Sequence, residues 1–305
     1  MRARIASIIS SSLLCAACAV HVSERDVFKP ETAQDTTFTI ETDEGRLFDH
    51  NRPAPGLFER LGISPETGRI PSSAGDIYYQ LARNPDVHAP FIIYCGGSAF
   101  DVPNHGDLAI WKLHRFGDVM VWDYPGFGLS EGEPSIQNFQ NAGFALSMAF
   151  RNLQRTPDQK IIFWGHSMGS FACARLAAFV PRADAIVFET ATPTSEAAAP
   201  YLAPALVRPF IRVELQNGLQ DFDNVDVLSG RQIPALVLAA THDEVLPVEL
   251  SRQLRDGLIA TGHDVTYHEF PEGGHFDLGF HGELDEVVPA FIANVMGEPN
   301  SRDTQ

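Results

Sequence analysis

Ile161-Ile162-Phe163-Trp164-Gly165-His166-Ser167-Met168-Gly169-Ser170 is the stretch on which the fold turns. Its apolar run has no alternation, as expected of a strand buried on both faces in a parallel sheet. It runs straight into Gly-x-Ser-x-Gly, and the helix-like Phe171 to Val180 follows. A serine between two glycines on so sharp a strand-to-helix turn adopts strained backbone, with its hydroxyl exposed at the carboxyl edge of the sheet. Ser167 is therefore the candidate nucleophile. The N–H of Met168, at the helix start, is a candidate donor to an oxyanion.

Two more groups arrive at that edge by the same geometry. The apolar run Ile233 to Ala240 ends at Thr241-His242-Asp243-Glu244, and the alternating run Asp264 to Phe270 leads into Pro271-Glu272-Gly273-Gly274-His275. A serine hydroxyl is a poor nucleophile near neutral pH. It needs a histidine to take its proton and a carboxylate to fix that histidine's tautomer. Ser167, Asp243 and His275 supply the set. The apolar run Ala183 to Phe188 is another such strand and ends at Glu189. Upstream, Ala89 to Tyr94 is a further strand running into Cys95-Gly96-Gly97-Ser98. Its glycines allow close backbone approach, making Gly97 the candidate second oxyanion donor and Ser98 the alternative. Asp123, in the turn-dense loop Asp123 to Gly132, is read as pinning that loop through backbone amides.

These segments together resemble the α/β-hydrolases over Thr36 to Met296. The residues that carry the likeness are Asp123-Tyr124-Pro125-Gly126-Phe127-Gly128-Leu129-Ser130-Glu131-Gly132, Gly165-His166-Ser167-Met168-Gly169, Asp243-Glu244-Val245-Leu246-Pro247 and Gly273-Gly274-His275. The order Ser, Asp, His is that of the superfamily. The chain looks particularly like the minimal-lid group related to protein depalmitoylases and serine aminopeptidase-like hydrolases. It departs from the usual pattern at Cys95-Gly96, where His-Gly is common, and because some hydrolases take their acid from the end of the preceding strand, the resemblance makes Glu189 the alternative to Asp243. The resemblance implies an α/β fold, a mostly parallel sheet with helices on both faces, and a serine hydrolase of carboxylic or thio esters that needs no cofactor or metal. An aminopeptidase-like amidase and a catalytically idle, ligand-binding scaffold are the alternatives.

The rest of the chain sets expectations about organisation. Residues 190–230, broken by Pro193, Pro200, Pro204 and Pro209, read as a small lid. Leu202, Leu206, Phe210 and Val213 would share one helical face over the site, favouring short or medium acyl groups. Ser135 to Leu153 reads as a long amphipathic helix with Phe139, Ala142, Leu146 and Phe150 inward. The domain is expected over 36–298, with a polar tail at 299–305.

At the N-terminus, Met1-Arg2-Ala3-Arg4 followed by the apolar Ile5 to Ala19 reads as an export signal. Leu14-Cys15-Ala16-Ala17-Cys18 resembles a lipobox, which would make Cys18 a lipidated mature end, anchored at the bacterial cell envelope on the periplasmic side. Ala17-x-Ala19 fits ordinary cleavage and a soluble periplasmic or secreted product instead. Residues 20–35 read as a tether. Of four cysteines, Cys95 and Cys173 fall in the body and are expected as buried free thiols. A net charge of −17 over 305 residues argues against a nucleic acid partner but does not identify the substrate, which the resemblance implies to be a small-molecule ester or acylated compound.

Overall fold

The computed structural model describes residues 18–30, 37–42 and 45–297. The strands are β1 (Cys18–Val22), β2 (Ile40–Thr42), β3 (Gly45–Asp49), β4 (Arg52–Pro53), β5 (Glu66–Ile70), β6 (Ile77–Ala82), β7 (Phe91–Cys95), β8 (Asp118–Trp122), β9 (Ile161–His166), β10 (Ala185–Glu189), β11 (Ile211–Leu215), β12 (Ala235–Ala240) and β13 (Val265–Phe270). Eight of them form one sheet in the order β13-β12-β10-β9-β7-β8-β6-β5. From β8 to β13 every pairing is parallel, and β6 and β5 close the other edge antiparallel.

Burial follows from the residue pattern. Strands β7, β8, β9, β10 and β12 are buried at every position, as their unbroken apolar runs require. The alternating β13 lies at the edge and is mostly half-buried. Two apolar layers fill the space on the two sides of the sheet. One gathers Phe139, Leu146 and Phe150 of the helix Ile136–Leu153 with Phe171 and Leu176 of the helix Gly169–Phe179. The other gathers Ile110, Leu284, Val288 and Phe291 from two further helices. Ser135 caps the long helix by accepting from the Asn138 N–H at 3.2 Å.

Four expectations change. Residues 20–35 are not simply a tether: β1 pairs in parallel with β11, a short helix spans Glu24–Val27, and Phe28 is buried against Phe139 with ring centroids 5.6 Å apart. Val22 and Phe28 are the apolar anchors, and Glu24 accepts from the Ile136 N–H at 3.0 Å. The stretch between the strands expected from the sequence at Thr36 to Thr42 and Asp76 to Leu81 is not the bare Pro- and Gly-rich connection it reads as, since it carries β3, β4, β5 and the helix Leu57–Leu61. Cys95 and Cys173 are not free thiols: they form a disulfide with Cα atoms 5.9 Å apart. Finally, the lid is not one amphipathic helix. It is a four-residue helix Ser195–Ala198, 3-10 turns at Ala199–Leu202 and Arg208–Phe210, and β11. Pro200, Pro204 and Pro209 lack the N–H a continuous helix needs. Leu206 and Phe210 are 88% and 75% exposed, so these side chains face solvent instead of covering the site. The expected export signal before residue 18 and the tail at 299–305 lie outside the described residues, and so does the greater part of the lipobox.

Candidate active site

The sheet delivers three side chains to one edge. Ser167 follows β9 with φ of +53°, a left-handed conformation rare for a residue with a Cβ. Its N–H donates to the Glu189 carbonyl at 2.9 Å, which helps hold the turn. The flanking glycines are sterically required. A Cβ at Gly165 would lie 2.4 Å from the Ser170 Cα, and one at Gly169 would lie 2.1 Å from the Cys95 carbonyl oxygen.

His275 follows β13 and Asp243 follows β12, and both side chains are almost fully buried. His275 Nδ1 and Asp243 Oδ2 are 2.7 Å apart. The carboxylate's other oxygen accepts the Val245 and Leu246 N–H groups at 2.8 and 2.7 Å, so Asp243 is immobilised before it meets the ring. With Nδ1 engaged by Asp243, Nε2 is the other nitrogen of the His275 ring. Ser167 Oγ makes no hydrogen bond to His275 among the described contacts, an arrangement that tightens in many enzymes only when substrate is bound.

The carbonyl of His275 is held from two sides that sequence reading missed. His166 Nε2 donates to it at 2.9 Å and Thr190 Oγ1 at 3.3 Å. Burial lowers the His166 pKa to about 4, with the His275 and Lys112 charges acting the same way and Glu189 opposing. A neutral ring that donates from Nε2 is the result. Nothing in the sequence separates His166 from a spacer in the serine motif, because its partner is 109 residues away.

Glu189 is otherwise employed. Its carboxylate receives Lys112 Nζ at 2.5 and 2.6 Å and Trp164 Nε1 at 2.6 Å. Burial alone would raise its pKa, but the Lys112 charge and these donors overcome that and hold it ionised. The structure therefore pairs His275 with Asp243 and not with Glu189. Asp123 behaves as read from sequence: its two oxygens accept the Val102 and Leu129 N–H groups at 2.6 and 2.8 Å. Burial pushes its pKa up to about 7.

Gly97 lies beside Ser167. A Cβ built there would be 3.5 Å from the Ser167 Cβ and 3.3 Å from His166 Nδ1. The carbonyls of this loop are occupied, Gly96 by the Tyr124 hydroxyl at 2.5 Å and Gly97 by the Phe100 N–H at 3.0 Å. Among the described residues neither the Gly97 N–H nor the Met168 N–H has a hydrogen-bond acceptor. The disulfide ties Cys95, two residues before Gly97, to the helix that begins after Met168. Tyr124 and Phe100 were not legible as site residues, since each acts through a loop remote in sequence. Among the described residues, no group of three or more His, Cys, Asp or Glu could hold a metal ion.

Comparison with known proteins gives the same architecture. A family model described as alpha/beta hydrolase fold matches residues 117–208. An uncharacterized protein of Mycobacterium tuberculosis is 25% identical over 189 residues, covering 62% of this chain and 63% of its own length. The match thus spans less than two thirds of that relative. Human alpha/beta hydrolase domain-containing protein 17B is 24% identical over 204 residues, 66% of each chain. Among solved structures, an alpha-beta hydrolase from Vibrio vulnificus aligns with a TM-score of 0.66 at 16% identity, covering 92% of this chain and 98% of that one. The Pyrococcus furiosus esterase Pf2001 aligns at 0.61 and 15% identity, covering 79% and 96%.

Proposed function

The chain is a member of the α/β-hydrolase superfamily, and we propose that within it this protein is a serine hydrolase of carboxylic or thio esters. The observation that carries the reading is the buried 2.7 Å contact of His275 Nδ1 with Asp243 Oδ2, on the sheet edge where Ser167 occupies a left-handed turn. In this reading His275 Nε2 takes the Ser167 proton as Oγ attacks the ester carbonyl. Asp243 stabilises the imidazolium, and the Gly97 and Met168 N–H groups receive the oxyanion. His275 then protonates the leaving alcohol or thiol, and water releases the acid by the same steps. Glu189, neutralised by Lys112, takes no part.

We also place the protein outside the cytoplasm, held at a membrane through lipid on Cys18. The Cys95–Cys173 disulfide supports an oxidising compartment. The basic, apolar start and the lipobox-like Leu14 to Cys18 support the anchor.

The mechanism is tested with a fluorophosphonate probe and with esters of graded chain length. The parent protein is expected to be labelled and Ser167→Ala not. Ester hydrolysis is expected to fall on the order of 10⁴-fold or more in Ser167→Ala, and no further when His275→Ala is added, because the groups act as a unit. Full labelling of Ser167→Ala, or faster cleavage of aminoacyl-anilides than of every ester, would overturn the reading.

A further inference from the structure

The lid carries its apolar residues on the outside. Leu206 and Phe210 are 88% and 75% exposed, and Leu202 is 41% exposed. They sit on a short stiff excursion. Pro204 and Pro209 fix φ, the Val207 N–H donates to the Pro204 carbonyl at 3.0 Å, and the Phe210 N–H donates to Val207 at 2.9 Å. Arg208 folds back beneath it, donating to the Ala203 carbonyl at 2.9 Å with its guanidinium 4.6 Å from the Tyr201 ring centre. Large apolar side chains on a rigid exposed tip are costly in water and mark a surface that meets something apolar.

The strand next to the tip identifies the partner. β1 and β11 run parallel, with Cys18 paired to Ile211. Parallel strands start at the same edge, so Cys18, the residue that carries the lipid in the reading above, begins β1 next to Phe210. Arg212 follows the tip with its side chain 78% exposed and only a distant 3.9 Å approach to Glu214. On a chain of net charge −17, an exposed arginine beside an apolar tip suits the phosphates of a lipid headgroup layer.

We propose that the Leu206–Phe210 tip is a membrane-docking surface that inserts into the interfacial layer of a bilayer beside the point where the lipid on Cys18 would enter it. The lid's base is fastened to the nucleophile helix, because Asn224 Nδ2 donates to Ser170 Oγ at 2.8 Å and to the Thr192 carbonyl at 2.8 Å. Docking at the tip therefore fixes the Ser167 edge relative to the membrane, and esters presented at a bilayer surface become the substrate class. Only this substrate clause rests on the hydrolase reading.

The test uses the mature chain from residue 18 onward with Cys18→Ser, in which neither a lipid at residue 18 nor the export signal can mask the tip, floated with vesicles of phosphatidylcholine alone or mixed with phosphatidylglycerol. Adding Leu206→Ser and Phe210→Ser is expected to weaken binding to both vesicle types on the order of 10-fold, since two partly inserted apolar side chains are lost. Arg212→Ser is expected to weaken binding about 5-fold on the phosphatidylglycerol vesicles only. The melting temperature and the hydrolysis of a short soluble ester should not change in these variants. Ser167→Ala should bind vesicles like its parent, so a failed hydrolase reading leaves the docking result intact. Equal flotation of the tip variant and its parent would overturn the proposal. So would a tip substitution that converts dimers to monomers in sedimentation while vesicle binding is unchanged, which would make a second copy the occupant.

Discussion

The loops after β9, β10, β12 and β13 and the lid of residues 190–230 treat polar and apolar groups in opposite ways. At the sheet edge, charged and polar side chains are buried and each is held by several partners: Asp243 by three, Glu189 by Lys112 and Trp164, and the His275 carbonyl by His166 and Thr190. On the lid, Leu206 and Phe210 are large, apolar and exposed. A buried polar group must be satisfied or it destabilises the fold, so the edge is over-determined. The lid tip has its backbone held by two turn hydrogen bonds and Arg208, yet its Leu206 and Phe210 side chains are left exposed.

The largest difference should appear on Asp243→Asn. The amide keeps the shape of the carboxylate but neither fixes the productive tautomer of His275 nor stabilises its cation. We expect ester hydrolysis to drop on the order of 10⁴-fold with little loss of stability. Phe210→Ala, a larger deletion of side-chain volume, should leave soluble-ester hydrolysis within about twofold. Steady-state kinetics on both proteins sharpens the contrast if the ratio is this large. A similar loss in the two would erase it.

Lys112→Met tests the edge through stability. Removing one partner leaves Glu189 charged and buried in the interior, which costs about 3–5 kcal/mol. The same change at exposed Arg212, with its 78% exposed side chain, should alter stability by less than about 0.5 kcal/mol. Urea unfolding of both variants measures the difference. Equal midpoints would show that Glu189 is rehydrated or protonated at little cost.

How much of this was legible depends on the range of the forces involved. The strands, the serine turn and the order Ser167, Asp243, His275 could be read because strand burial and turn chemistry are written into adjacent residues. The inward face of the helix Ile136–Leu153 was legible for the same reason. The Lys112–Glu189 pair joins residues 77 apart and the disulfide residues 78 apart, so no local pattern announces them. Cys95 and Cys173 were each placed correctly, at a strand end and inside a helix, yet their approach is a property of the packed sheet. The lid failed differently. Its apolar spacing does match a helical face, but the prolines dismantle the helix and turn the residues outward. The tether failed because β1 has too few residues for its pairing to be read without β11.

The disulfide comes next in size. Closing a loop of 78 residues restricts the unfolded chain, and removing the bridge by Cys95→Ala with Cys173→Ala should cost roughly 2–4 kcal/mol. Because the bridge ties the Gly97 loop to the nucleophile helix, kcat should fall while the lid's vesicle binding stays as it was. Guanidinium unfolding under oxidising and reducing conditions gives the stability term. Loss of vesicle binding in step with kcat would show that edge and lid are not separable.

The smallest expected effect concerns protons. His166 has its pKa lowered to about 4 by burial, against about 6.5 in an unfolded chain. As pH falls through 6.5 the unfolded chain takes up a proton that the folded one refuses, so ν_U exceeds ν_N and stability is lost progressively until pH reaches about 4. The group's contribution is fully present above about pH 6.5 and amounts to roughly 3 kcal/mol. Asp123 has the opposite sign: with its pKa raised to about 7, its contribution is present below the ordinary carboxylate range and is lost as pH rises through about 7. The parent's profile is the sum of these slopes, so the informative quantity is the difference between parent and His166→Asn. Asparagine can keep a donor for the His275 carbonyl but does not titrate. We expect the variant to lose less stability than the parent between about pH 6.5 and 4, measured by urea unfolding across that window. Parallel profiles would mean that His166 protonates as freely in the folded protein as in the unfolded chain, and that the edge is more open to water, and closer in character to the lid, than its buried hydrogen bonds imply.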